Sequence, residues 1–274
     1  MTQHVSFEFF PPKTDQGADN LRHACGELAK LNPEFFSVTY GAGGSTQDYT
    51  IQTVIDIQKE SGIESAPHLS CIGSRKDQIL ETLNIFKESG IKRIVALRGD
   101  LPSGMRDVGE LEYANNLVSF IREQTGDYFH IEVAAYPEMH PQAPNFKTDL
   151  NNFARKVNAG SNSAITQYFY NIDSYFHFID SCEKLNITIP IVPGIMPITN
   201  FTQLARFSDA TGAEIPRWLR KRLEGYGDDL ESITKLGTEV VTEMCQKLME
   251  QDAPGLHFYT MNRAESTKMI LDNL

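Results

Sequence analysis

Residues 66–97 read APHLSCIGSRKDQILETLNIFKESGIKRIVAL. Two near-continuous apolar runs, Ala66–Cys71 and Arg93–Leu97, flank a helical pattern over Lys76–Ser89 that ends on Gly90 in the C-cap position. Apolar runs of this length suit parallel strands buried on both faces, and parallel strands need a crossover helix between them. The stretch is therefore one strand–helix–strand unit.

The same unit extends in both directions. The patterning predicts strands at His4–Phe9, Phe35–Tyr40, His130–Tyr136, Ala164–Tyr170, Ile189–Gly194 and Leu256–Thr260. It predicts helices over Gln47–Glu60, beside the capping candidates Ser45 and Thr46, over Val108–Gln124 before Gly126, and over Asp149–Asn158 before Gly160. The first six units recur at roughly 30 residues, the length of a βαβ step. Long helical stretches at Asn200–Phe207 and Asp228–Met249 both fall between strands seven and eight. Eight strands with intervening helices predict an α/β (β/α)8 TIM barrel with extra helical structure in that connection, a doubly wound sheet being the rival. No linker or low-complexity tract divides the chain, so 1–274 reads as one domain.

Composition narrows the function. With 41% hydrophobic and 22% charged residues, the 274-residue chain is ordinary for a soluble globular protein. A net charge of −11 argues against a nucleic-acid partner, which needs clustered Lys and Arg. Cys25, Cys71, Cys182 and Cys245 form no C-x-x-C pair, which predicts free thiols in a reducing cytoplasm and no structural zinc. No run approaches the roughly 18 apolar residues that span a bilayer, and no secretory leader is recognisable. No membrane association is expected.

In a barrel, chemistry collects at the C-terminal strand ends. There the sequence offers Glu8, Thr39, Tyr40, His68, Arg98, Asp100, Tyr136, His140, Gln167 and Arg263. Glu8 stands between Phe7 and Phe9. Poor solvation there favours the neutral acid, a general-acid arrangement; the alternative is a carboxylate paired with a lysine or arginine. The loop Tyr40-Gly-Ala-Gly-Gly-Ser-Thr46 is either an anion-binding approach to a helix start or a tight turn. Arg98-Gly-Asp100 offers a phosphate or ring-edge contact, or a surface ion pair. His68 and His140 lack metal-ligand spacing, so no metal is expected. His4, His23, His130, His177 and His257 carry no assigned role.

Taken together, VSFEFFPPK, SVTYGAGGST, APHLSCI, IVALRGDLP, VAAYPEMHP, AITQYFY, VPGIMP and LHFYTMNRAE, in this order from Val5 to about Glu265, resemble the bacterial-type methylenetetrahydrofolate reductase family. The resemblance implies a barrel holding non-covalent FAD. It implies that NAD(P)H reduces the flavin and that 5,10-methylenetetrahydrofolate then takes the hydride and becomes 5-methyltetrahydrofolate in a ping-pong cycle. It implies that Glu8 is the acid at folate N10 and that Asp100 tunes flavin and pterin. It implies FAD contacts at Tyr40, Ala42, His68, Arg98, Gly99, Asp100, Ala114, Tyr136, His140, Ala143, Asp149, Asn152, Arg155 and Lys156. Substrate contacts are implied at Thr39, Gln167, Gln203, Phe207 and Arg263. A homo-oligomer is expected, and control by S-adenosylmethionine is not, because the chain stops soon after its last motif.

Overall fold

The computed structural model describes residues 4–39, 44–100 and 109–274, apart from the side chains at 44–48. The quoted unit folds as β3 (Ser65–Ser70), α3 (Lys76–Glu88) and β4 (Arg93–Leu97). Before it come β1 (Val5–Phe9), α1 (Asp15–Ala29), β2 (Phe36–Val38) and α2 (Gly44–Ser61). After it come α4 (Ala114–Thr125), β5 (His130–Ala135), α5 (Phe146–Asn158), β6 (Ser163–Thr166) and α6 (Ile172–Glu183). The chain closes with β7 (Ile191–Val192), β8 (Gly194–Ile195), α7 (Phe201–Thr211), α8 (Arg217–Tyr226), α9 (Leu230–Glu250), β9 (Leu256–Tyr259) and α10 (Glu265–Leu271).

All strand pairs among the described residues are parallel, in the order β7-β6-β5-β4-β3-β2-β1-β9-β8. β7 pairs with β6 and β8 with β9, and Pro193 alone separates them. They are two halves of one stave, interrupted where proline supplies no N–H to a ladder. Pro193 still accepts from His257 N at 3.0 Å. The ring therefore has eight staves and is the expected TIM barrel.

Strand side chains alternate between two surroundings. Phe7, Phe9, Phe36, Leu69, Ile94, Ile131, Val133 and Phe258 face the helices and are buried there. Each contributes on the order of 2–3 kcal/mol of burial. A smaller apolar layer of Phe35, Ala66, Val95 and Ile165 fills the barrel itself. The N-terminal end of the barrel is plugged by Arg93. Its guanidinium lies 2.7 Å from Glu132 Oε1, 2.6 Å from Glu34 Oε1 and 4.3 Å from the Phe35 ring centre. Burial opposes the Glu132 charge, but His130 and Arg93 keep its carboxyl below the ordinary range.

Several boundaries differ from the patterning. The helix expected from Val108 starts at Ala114. Ahead of it, Glu110 N donates to Ser74 O and the Glu110 carboxylate accepts from Lys76 N, drawing this segment across the β3–α3 loop. The strand expected to reach Tyr170 ends at Thr166, because the Gln167 side chain accepts from Tyr168 N and turns the chain. The strand expected from Ile189 begins at Ile191, after Pro190. The extra structure before the last strand is three helices, α7, α8 and α9, of which α8 was not anticipated.

Candidate active site

Glu8 projects into the barrel from β1. Phe7 and Phe9 alternate to the opposite face, so its apolar neighbours in sequence are not its neighbours in space. Glu8 Oε2 instead lies 3.2 Å from His68 Nε2 and 3.7 Å from His257 Nε2. Burial works against the charge, yet the two imidazoles outweigh it and hold the carboxyl down at about 2, against an ordinary 4.5. The expectation of a neutral acid is overturned for this state of the site. The alternative, a paired carboxylate, describes the geometry, with two histidines in place of a lysine or arginine.

His257 is fully buried. Its Nδ1 is 2.7 Å from Ser6 Oγ and its Nε2 3.4 Å from Ser37 Oγ, and Phe35 stacks on it at 5.8 Å between ring centres. The motif reading passed over this residue, although a signal was present. Leu256 and Phe258 alternate with His257 and Tyr259, and strand periodicity sends the second pair inward.

The last strand also holds the first at the backbone. Thr260 Oγ1 donates to Glu8 O at 2.6 Å. The Asn262 side chain accepts from Phe10 N at 2.9 Å and donates to Phe10 O at 2.8 Å. Tyr259 donates its hydroxyl to Thr166 O at 2.7 Å, its ring lying across Gly194. A Cβ on Gly194 would sit 2.1 Å from Thr166 O.

Above this floor lies a rim of basic and aromatic groups. Arg98 donates through Nε to Glu112 O and through a terminal nitrogen to Gln142 Oε1. Gly99 has φ +81, and a Cβ there would meet Ser70 at 2.9 Å, so this turn excludes any larger residue. The Tyr136 and His140 rings meet edge to face at 4.6 Å. Burial, then Asp149 and Asp100, push the Tyr136 phenol up to about 12. His140 N donates to the Asp149 carboxylate. Lys156 reaches inward from α5 to donate through Nζ to Ala134 O. Burial lowers its ammonium to about 8, with Asp149 pulling the other way.

The remaining expected residues divide. Thr39 N donates to Phe9 O and Gln167 N to Ala135 O, so both stand beside the Glu8 end of the barrel. Ala114 opens α4 two residues past the carbonyl that accepts from Arg98. Ala143 N donates to His140 O. Phe207 is half-buried on α7, and Gln203 is exposed in the first turn of that helix. Arg263 is exposed and lines an open groove with Phe10, Pro12 and Lys13. Arg155 is exposed and donates to Asn152 on the outer face of α5, turned away from Lys156. Asp100 is exposed at the last described position before residue 101. Tyr40 and Ala42 lie outside the described residues.

The arrangement suits an elongated ligand with a flat heterocycle and an anionic end, lying over a carboxylate faced by two imidazoles. Among the described residues, no group of three or more His, Cys, Asp or Glu could hold a metal ion, and no helix is long and apolar enough to cross a membrane. All four cysteines are free and buried.

A family model described as methylenetetrahydrofolate reductase matches residues 1–274. The chain is 42% identical over 272 residues to the 5,10-methylenetetrahydrofolate reductase of Escherichia coli strain K12, spanning 99% of this chain and 90% of that protein. A rice protein named probable methylenetetrahydrofolate reductase (NADH) is 38% identical over 98% of this chain, which spans 48% of the rice protein. Among solved structures, a Clostridium thermocellum protein described as binding two copies of 5-methyl-5,6,7,8-tetrahydrofolic acid superposes with a TM-score of 0.68 at 17% identity, covering 99% of this chain and 93% of that one. At that identity the likeness is one of fold.

Proposed function

The chain belongs to the methylenetetrahydrofolate reductase family, and we propose that it converts 5,10-methylenetetrahydrofolate to 5-methyltetrahydrofolate with NAD(P)H as donor and non-covalent FAD as cofactor, the two substrates using one site in turn. The observation that carries this reading is the Glu8–His68–His257 group beneath a basic, aromatic rim.

The rim fits the cofactor. Lys156 and Arg98 would meet its phosphates through charge-assisted contacts. Tyr136 and His140 present ring edges and faces to a flat heterocycle, and Gly99 lets the backbone approach closely. FAD, when bound, supplies the hydride carrier between the two substrates. Asp100, at the same rim, would bind the pterin and set the charge beside the flavin.

Glu8 moves the proton. The methylene bridge of the folate opens only when N10 is protonated, leaving an iminium carbon able to take a hydride. Glu8 is ionised while the two histidines face it, so its carboxyl has to take up a proton before it can give one to N10. Desolvation already opposes the Glu8 charge. A folate that excludes water strengthens this opposition, favouring the neutral acid at the moment when N10 is in reach. Thr260 at the Glu8 carbonyl and Asn262 at Phe10 hold the backbone there, which restricts the direction of the carboxyl. Gln167, Phe207 and Thr39 would then position folate and nicotinamide alternately.

The test is anaerobic titration of the purified protein. A flavin band near roughly 450 nm should bleach with NADH or NADPH and return on addition of methylenetetrahydrofolate. Turnover without flavin, or a bleached flavin that folate fails to reoxidise, would overturn the reading.

A further inference from the structure

Helix α8 breaks the rules of its own stability. Arg217, Arg220, Lys221 and Arg222 place four cations and no acid within six residues of a chain whose net charge is −11. Arg217 opens the helix with no acidic residue in the first turn, so a cation faces the positive end of the helix dipole. Arg217 and Lys221 stand four residues apart, where like charges weaken a helix. Among the described residues the ion pair formed by this set is Lys221 Nζ with Glu224 Oε2, at 2.9 Å. Local choices that conflict with the fold are characteristic of functional surfaces.

The helix is nevertheless firmly seated. Leu219 and Leu223 are fully buried. The opposite face then carries two rows, Arg217 with Lys221 and Trp218 with Arg222, the members of each row about 6 Å apart. Trp218 is the only tryptophan in the chain and is 51% exposed. The segment leading into α8 is attached to the mouth of the barrel. Glu214 N donates to Glu138 Oε2 at 2.7 Å, and Thr211, Gly212 and Ala213 share a small cavity with Tyr136 and Gln167. The Arg220 guanidinium lies 5.9 Å from the ring of Phe201, the first residue of α7.

We propose that α8 is the subsite for the γ-linked glutamyl tail of the folate substrate, an inference that rests on the function proposed above. With the pterin at Glu8, the other end of the substrate has to leave through the rim. That end is a chain of carboxylates, and this acidic protein repels carboxylates except where cations gather. The two rows match a repeating anion, and the exposed indole covers its methylene segments.

The test uses the lone tryptophan and two substrates. Free penta-γ-glutamate should change Trp218 fluorescence saturably, and the response should weaken with salt. Arg217→Gln with Arg222→Gln should abolish it; removing these cations relieves the helix, so folding is retained. The same double variant should raise KM for penta-γ-glutamyl methylenetetrahydrofolate about tenfold, leaving KM and kcat for the monoglutamate unchanged. Equal changes for both tail lengths, a parent enzyme indifferent to tail length, or an altered oligomeric state with tail dependence intact would each overturn the assignment. If neither folate is reduced while the fluorescence response persists, the reductase reading fails and the anion subsite stands.

Discussion

His68 presents Nε2 to Glu8 Oε2 at 3.2 Å from a strand two places round the barrel. The contact sets an imidazole directly against the carboxylate that would serve folate N10. The chemistry should therefore divide cleanly between half-reactions. In Glu8→Gln, bleaching of the flavin by NADH should proceed near the parental rate, since it needs no proton at folate N10. Reoxidation by methylenetetrahydrofolate should slow by roughly 10²–10⁴-fold. Stopped-flow mixing that shows slow bleaching with normal reoxidation would assign Glu8 to the nicotinamide or to the fold.

The same contact has a signature in acid. Glu8 is depressed from 4.5 to about 2, so the unfolded chain takes up its proton first as pH falls. The stabilisation is complete above about pH 4.5 and is lost as pH drops through 2; it is on the order of 3 kcal/mol. Denaturant unfolding of the parent and of Glu8→Gln across this window should show the difference between them shrinking. A constant difference would mean the pair does not hold the carboxylate.

Lys156 and Arg155 are neighbours in sequence with different expected effects, because one side chain points inward and the other is exposed. Lys156→Ala should weaken FAD by roughly 1.5–3 kcal/mol, the worth of a charge-assisted contact, and Arg155→Ala should change it little. In the parent, FAD affinity should decline as pH rises through about 8, where the buried ammonium loses its charge. Isothermal titration with FAD measures all three, and equal losses in the two variants would place Arg155 in the site as well.

Strand periodicity made the barrel legible, and turn chemistry made its mouth legible: Gly99, the prolines and the polar strand ends were all visible as residues. What a linear reading misjudged was the environment of Glu8. Adjacent phenylalanines suggested a neutral acid, yet the partners that set its charge come from positions 68 and 257, brought round by barrel closure. His257 escaped notice for the same reason, having no motif of its own. Helix α8 is hard to read from sequence because Leu219 and Leu223 alone mark its buried face, too few apolar positions to stand out within a cationic run.

At the closed end, Arg93→Met should cost about 3–5 kcal/mol, because it leaves Glu132 buried without its guanidinium. Adding Glu132→Leu should recover much of that loss. Chemical denaturation checks both, and a double variant no more stable than the single would mean the plug acts through packing alone.

Gly194→Ala should destabilise the fold by at least the roughly 1–3 kcal/mol of ordinary overpacking, since the clash falls on a backbone oxygen that no rotamer can move aside. Thermal unfolding measures the cost. A parental midpoint would show that the stave broken at Pro193 has slack to spare.

The hydrogen bond from Thr260 to Glu8 O joins residues 252 positions apart in the chain. A ribosome adding roughly 5–20 residues per second makes the carboxylate tens of seconds before the residues that orient it. From the synthesis of Lys156 to that of Thr260 the nascent chain carries most of its rim and no assembled proton donor. Competence therefore arrives in one late step, when the final strand docks, and a polypeptide stalled short of it has the barrel's parts without its chemistry.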